Sequence, residues 1–370
     1  MRFVFFADLH LDSHFAWAPP EVGRQRRQSL RDTLEAIVRL ADEVDADAIL
    51  SGGDLYEHDR FTPDTAKFLQ KTFNETSRRV ILAPGNHDWL GPESLYHRVS
   101  WASHVSVFTE NRLRPIELAE GLTLWGAAHR APANTDGFLD QFRVDRGGIN
   151  LALFHGAELG SFHFEGDDSK RPHAPFDATA IPAAGLHHAF VGHYHRPCDG
   201  EHHTYPGNPD PLTFGETGER GAVVVEVLDD GSIHRRRHRV AQSEMHDVAV
   251  DVSGCASRQD VRQRVKEALA GRGGLVRVTL HGELDPDVDL HLATDLTAAS
   301  LGVADRVPAI VVRRGSLRAA YDIDAIKAEQ TVRGQFVRDV LDAGLDPEET
   351  RRVITTGLRA LDGRDVLEVE

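Results

Sequence analysis

Cysteine is nearly absent. Only Cys198 and Cys255 occur in 370 residues, far apart and in no metal-ligand spacing. That excludes a disulfide framework and fits a reducing compartment. No long uncharged apolar run occurs, which excludes a membrane-spanning helix. The apolar start Phe3-Val4-Phe5-Phe6-Ala7 is broken at once by Asp8, His10 and Asp12, too soon for the core of a secretory signal. These absences predict a cytoplasmic protein with no membrane partner. There is no internal repeat, no low-complexity segment, and no Ser or Cys nucleophile elbow. Positive charge is also scarce: 42 Lys and Arg stand against 58 Asp and Glu, a net charge of -16. A field of that sign repels nucleic acid and acidic membranes. A polyanionic substrate must then be held by metals or by a local basic patch.

What is plentiful is histidine, 21 residues, and its positions matter more than its number. The chain is long enough for two or three domains. Phe3 to Ala7 reads as a strand buried on both faces. Leu30, Leu34, Ile37, Val38, Ala41 and Val44 recur at helical spacing within a helix over Arg24–Val44. Ala48-Ile49-Leu50 is a second strand, and Thr62-Pro63-Asp64 opens a second helix. Val80 to Ala83 is a third strand. This order predicts a parallel sheet with right-handed crossovers. Leu113–Leu118 and Leu122–Trp125 read as an antiparallel pair. Leu151–Phe154 and Ala189–Val191 are further buried strands, and Gly221–Val227 pairs with Ser232–His234.

The expected division is 1–240 for this first domain, 245–315 for a small α+β module, and 325–370 for a C-terminal helical hairpin. In the hairpin, Asp346-Pro347-Glu348-Glu349 carries an N-cap, a first-turn proline and a capping-box acid. Two short helices cannot bury a core alone, so their apolar face calls for a partner.

Five strand ends carry unusual side chains. The first delivers Asp8 and His10, the second Asp54 and the third Gly85-Asn86-His87-Asp88. The later ones deliver His155, then His193 and His195. In open α/β sheets, sites form beyond the carboxyl ends of strands. Asp8-x-His10 and His193-x-His195 have period-two spacing, which in extended chain puts both ligands on one face. Each piece alone reads equally as a turn, since Asn, Asp and Gly favour tight turns. Together they form a mixed carboxylate, amide and imidazole set that suits manganese, iron or zinc. Asp54 is the natural bridge between two divalent ions ~3.5–4 Å apart, with a shared acidified water as nucleophile. His97 and His129 are read as solvated residues, and Phe15 and Trp17 as loop anchors.

These motifs, Asp8-x-His10, Gly53-Asp54, Gly85-Asn86-His87-Asp88, His155-Gly156 and Gly192-His193-x-His195, resemble the calcineurin-like metallophosphoesterase superfamily over about residues 1–240. The resemblance implies an α/β (α+β) fold, a two-sheet β-sandwich flanked by helices. It assigns Asp8, His10, Asp54 and His195 to one metal, and Asp54, Asn86, His155 and His193 to the other. His87 is implied as the catalytic acid, with Asp88 as its orienting partner. Within the superfamily, Asp8-Leu9-His10-Leu11-Asp12, Gly53-Asp54-Leu55-Tyr56 and Tyr205-Pro206-Gly207-Asn208 look most like SbcD-type DNA repair nucleases. That likeness implies a capping role for 245–315. It also implies docking of 325–370 on an SbcC-like coiled-coil ATPase. Relatives dimerise, so a homodimer is left open. One departure stands out: Glu57 occupies the position where some relatives carry a catalytic histidine, and His58 follows it, read as a solvated turn residue.

The expected function is a manganese-dependent DNA nuclease, with Fe2+ or Zn2+ as other candidate ions. DNA would be met by Arg24, beside Arg26 and Arg27, by Arg235 and Arg237 of the His234–Arg239 run, and by Asn208. The other reading of that run is an edge strand kept soluble by charge. The alternative is a phosphodiesterase for small molecules or cyclic nucleotides, against which the C-terminal third argues. A protein phosphatase is disfavoured by Glu57-His58-Asp59 and Asn86-His87-Asp88, and a catalytically dead scaffold by the complete ligand set.

Overall fold

A computed structural model describes residues 1–160, 172–288 and 290–363, so 364–370 of the expected docking segment lie outside the described residues. The chain divides into two units, Met1–Met245 and His246–Glu370. In the first, β1 (Arg2–Phe6), α1 (Pro20–Glu43), β2 (Ala48–Ser51), α2 (Pro63–Glu75), β3 (Arg79–Leu82), α3 (Leu95–Arg98) and β4 (Val105–Val107) follow in order. β1, β2 and β3 pair in parallel, as predicted, and β4 joins β3 in the same sense. Next come β5 (Arg114–Ala119), β6 (Leu122–Gly126), β7 (Ile149–His155), α4 (Ala180–Ala183), β8 (His188–Gly192), β9 (Cys198–Asp199) and β10 (His203–Tyr205). β11 (Gly221–Val227) and β12 (Ile233–Arg239) return to the first sheet, where β11 lies antiparallel to β1. The two six-stranded sheets run β12-β11-β1-β2-β3-β4 and β5-β6-β7-β8-β10-β9.

The unbroken apolar run of β1 follows from this layering. Val4 and Phe6 pack in one cluster with Leu30, Leu34 and Ile37 of α1. Phe3 and Phe5 pack in another with Leu122, Leu124, Leu151, Leu153 and Phe190 of the second sheet. Both faces are therefore buried, each such side chain contributing ~1.5–3 kcal/mol. The outer face of the second sheet is covered by Phe138, Leu139, Ile181 and Leu186. The result is the two-sheet sandwich flanked by helices. α1 starts at Pro20, four residues before the expected Arg24, because a proline suits the first helical turn. Thr62 caps α2 by accepting from the Thr65 N–H at 3.2 Å. β4, β9 and β10, of three residues or fewer, were too short to leave a pattern.

The sandwich brings the ends of β2 and β8 together. A Cβ on Gly192 would lie 2.3 Å from the Gly52 carbonyl oxygen and 2.8 Å from Ala7 Cβ, so only glycine permits this approach.

The second unit holds a three-stranded sheet of β13 (Met245–Asp251), β14 (Leu275–Leu284) and β15 (Ala309–Ala319), with α5 (Arg258–Ala268) and α6 (Leu292–Asp295). Val261, Val265 and Leu269 pack with Val276, Val278 and Leu280. β15 continues seven residues beyond Val312, where the apolar pattern stops. α7 (Ile323–Ala328), α8 (Val332–Asp342) and α9 (Pro347–Leu361) follow. Asp346 accepts from the N–H groups of Glu348 and Glu349, as its sequence predicts. The hairpin does bury a small core, because α7 adds a third helix: Ile326 joins Val337, Val340, Ile354 and Leu358. Among the described residues no helix is long and apolar enough to cross a membrane.

Candidate metal centre

The five strand ends converge. Among the described residues, the ligand atoms of Asp8, His10 and His195, of His10, Asp54 and His87, and of Asp8, Asp54 and His155 each lie within 4.8 Å of one another. Asp8, His10, Asp54, Asn86 and His155 are buried, while His193 and His195 are partly exposed. Period two is not how the first pair converges. Asp8 (φ 56°), His10 (φ 51°), Asp54 (φ 52°) and His193 (φ 114°) are all left-handed, so the chain turns after β1 rather than running extended. Such residues cost ~1–3 kcal/mol each and persist where the surroundings force them. Here Asp8 N–H donates to Gly53 O, His10 N–H to Asp54 O, and His193 N–H to the Asp8 carboxylate.

The imidazoles are fixed through their Nδ1 atoms. His10 Nδ1 is 2.7 Å from Glu57 Oε1, His195 Nδ1 is 2.8 Å from Glu216 Oε1, and His155 Nδ1 is 3.0 Å from Gly52 O. Each of those oxygens accepts, so each Nδ1 carries a proton and each Nε2 is turned into the cluster. His10 Nε2 and His195 Nε2 then face each other at 3.2 Å, with Asp54 Oδ2 3.6 Å from His10 Nε2. Around His155 Nε2 stand Asn86 Oδ1 at 3.0 Å, His193 Nδ1 at 3.2 Å and Asp54 Oδ2 at 3.3 Å. Acceptors so crowded are reconciled only by a proton or a cation, and this donor set fits a borderline divalent metal.

The electrostatics follow. Burial pushes the Asp8 carboxyl up against the pull of His155 and His195. Burial also raises Asp54, but His155, His10 and His87 together hold it well below the usual carboxylate range. Burial works against a charged His155, yet Asp54 and Asp8 lift it to about 9. In Glu57 and Glu216 the histidine partners outweigh burial and bring both carboxyls down to about 2.

His87 is the exposed imidazole of the cluster, its side chain 48% accessible. Its partner is Glu57, at 3.0 Å from Nδ1, and not the expected Asp88. Asp88 is buried and accepts from the N–H groups of Gly85 (2.6 Å), Leu55 (2.8 Å) and Asp54 (3.0 Å), and from the Tyr96 hydroxyl (2.6 Å). Its carboxyl shapes the backbone that carries Asp54 and Asn86; burial and Asp54 push it to about 6. His58 stacks on Trp89 at 4.4 Å instead of projecting into solvent.

The residues expected to meet substrate are otherwise engaged. Arg235 donates to Gly200 O, His203 O and Thr204 Oγ1, and Arg237 to Tyr205 O, Pro206 O and Asp199. Both reach from β12 to the other sheet and tie the sandwich together. Asn208 is buried, donating to Glu216 Oε2 and Asp210 O and accepting from Arg220. Arg24 is exposed and paired with Glu21 on the same helix. Arg26 is buried against Asp210 at 2.6 Å, a pair whose disruption costs ~3–5 kcal/mol. Phe15 is buried and Trp17 donates to Leu212 O, so both are loop anchors.

Sequence reasoning missed three supports. Glu216 had no local signal. Arg220 donates to His195 O and Asn208. His129, read as solvated, is fully buried and donates from Nε2 to His155 O at 2.7 Å while Thr135 donates to its Nδ1. Burial and the neighbouring His155 hold it neutral, down at about 3.

The DNA double-strand break repair protein Mre11 of Methanopyrus kandleri is 25% identical over 75% of this chain, which spans 64% of that relative's length. The protein of the same name from Haloferax volcanii is 26% identical over 91% of this chain and 80% of its own. Among solved structures, the E. coli phosphoesterase Yfce aligns with 64% of this chain and 99% of its own at 15% identity, with a TM-score of 0.30. Residues 1–197, more than half the chain and including every residue of the converging cluster, match the calcineurin-like phosphoesterase model, and the chain belongs to that family.

Proposed function

We propose that this chain is a metal-dependent DNA nuclease that hydrolyses phosphodiester bonds at the strand-end cluster. The observation that carries the reading is the set of Nε2 atoms and carboxylates facing one another with every tethered Nδ1 turned away. The family uses divalent metals. When bound here, a pair of them would supply an acidified water and charge to match the phosphoryl oxygens. Asp8, His10, Asp54 and His195 would hold one ion, and Asp54, Asn86, His155 and His193 the other. The mixed ligand set favours manganese, with iron or zinc as alternatives. His87, accessible at the rim, gives a proton to the leaving oxygen.

DNA as substrate is supported by the two relatives, whose names state DNA double-strand break repair and whose likeness extends into the second unit. Partnership with an SbcC-like ATPase through residues 325–370 is supported by apolar side chains left exposed on α8 and α9, Val332, Leu341 and Leu361. The scarcity of cysteine supports a cytoplasmic setting.

One observation favours a second reading. The arginines expected to form a basic groove are engaged within the sandwich, which suits a small diester that needs no groove. Digestion of end-labelled duplex DNA beside a chromogenic diester, with Mn2+ and with chelator, separates the two. Cleavage of both, abolished by chelator, is expected. Cleavage of the diester alone selects the small-molecule reading, and cleavage of neither contradicts both.

A further inference from the structure

Glu57 does something no other carboxylate described in the cluster does. Its two oxygens are divided between two imidazoles: Oε1 lies 2.7 Å from His10 Nδ1 and Oε2 lies 3.0 Å from His87 Nδ1. The rings meet edge to face, centroids 4.8 Å apart at 79°. They differ sharply in surroundings, since the His10 side chain is 4% accessible and that of His87 48%. One carboxylate thus joins an interior imidazole, whose Nε2 faces His195 and Asp54, to the imidazole at the rim.

Glu57 is itself held on both sides. Its N–H donates to Leu11 O, its carbonyl accepts from Arg60 and Phe61, and the next N–H, of His58, donates to His87 O. The His87 N–H in turn donates to Asp54 Oδ1 at 2.8 Å. The carboxylate therefore has little freedom to serve one ring and release the other.

We propose that Glu57 is a positioning residue that fixes the metal-facing imidazole of His10 and the substrate-facing imidazole of His87 in one geometry. The inference rests on the reading of the cluster as a metal-dependent phosphodiesterase. It predicts a loss in two separable quantities, cation affinity through His10 and turnover through His87.

Glu57→Gln is the discriminating variant. The amide keeps the shape but offers one acceptor oxygen, and its NH2 opposes the second Nδ1–H. Glu57→Asp keeps charge and both acceptors but is one methylene short, so it reaches only one ring. Four results are expected. In the metal-free protein, imidazole N–H protons of both His10 and His87 are protected from exchange in the parent and only one remains in either variant. Mn2+ affinity falls ~10–100-fold. At saturating Mn2+, kcat on a chromogenic diester falls ~10–100-fold while KM stays within about two-fold. In the His87→Ala background, Glu57→Gln lowers kcat no further but still weakens Mn2+ binding.

Parent-like N–H protection in both variants overturns the proposal, as does a further ten-fold or so loss of kcat below His87→Ala. If the parent hydrolyses no phosphate ester with any cation, the functional reading fails, while the N–H protection still decides whether Glu57 bridges the two rings.

Discussion

The two halves of the cluster are built differently. On one side, His10 and His195 are each oriented by a carboxylate from a separate loop, Glu57 and Glu216. On the other, His155 is oriented by a backbone carbonyl, Gly52 O, and its own carbonyl is held by the buried, neutral His129. A carboxylate partner raises the basicity of an imidazole ligand more than a neutral carbonyl does. In the carboxylate half the supports of the imidazoles are therefore side chains that substitution can remove. In the carbonyl half the support of His155 is backbone, set by the close approach of β2 and β8, and no side-chain substitution removes it directly. Asp54 belongs to both halves.

The largest effect is expected where the halves meet. Asp54→Ala should abolish both cation sites and all hydrolysis, read by metal content and turnover; one retained ion would show that the halves are independent. His87→Ala should keep both ions and lose ~10²–10⁴-fold in kcat, because it removes a proton donor and no tether of the interior imidazoles; lost metal would move it among the ligands. Glu216→Ala should weaken one ion by ~10–100-fold and spare the other. By contrast His129→Phe, in the carbonyl half, should cost ~1–3 kcal/mol of stability with little change in affinity. Equal losses of affinity in these two variants would erase the distinction. Proton release is a finer test. His155 is lifted to about 9, so below that pH the metal-free protein holds a proton that an arriving ion must displace. Unbuffered Mn2+ titration at pH 7 should release about one proton from this group, fading above pH 9. The smallest effect on chemistry is expected from deleting residues 325–370, which should leave diester hydrolysis unchanged and remove binding of the ATPase partner.

How much of this was legible depended on distance along the chain. The converging residues each follow an apolar strand directly, so local pattern exposed them. The caps at Thr62 and Asp346 were legible for the same reason. Glu216 was not, because it meets His195 across a 21-residue separation with no periodic signal. His129 looked solvated because nothing beside it shows that Thr135 and His155 O will satisfy it. Arg235 and Arg237 sit at alternate positions of a charged edge strand, and alternation gives the face but not what that face meets. Carbonyls of the second sheet lie there, so the arginines hold the fold together. Asp88 was misjudged for a related reason: adjacency to His87 suggested a pair, while the turn aims its carboxylate at backbone N–H groups.

Anomalous scattering from crystals grown with Mn2+ tests the central claim most directly. Two peaks about 3.5–4 Å apart are predicted, flanking the Asp54 carboxylate, one beside His10 and His195 and one beside His155 and His193. An empty cluster at saturating Mn2+, or manganese bound only elsewhere on the molecule, would contradict it.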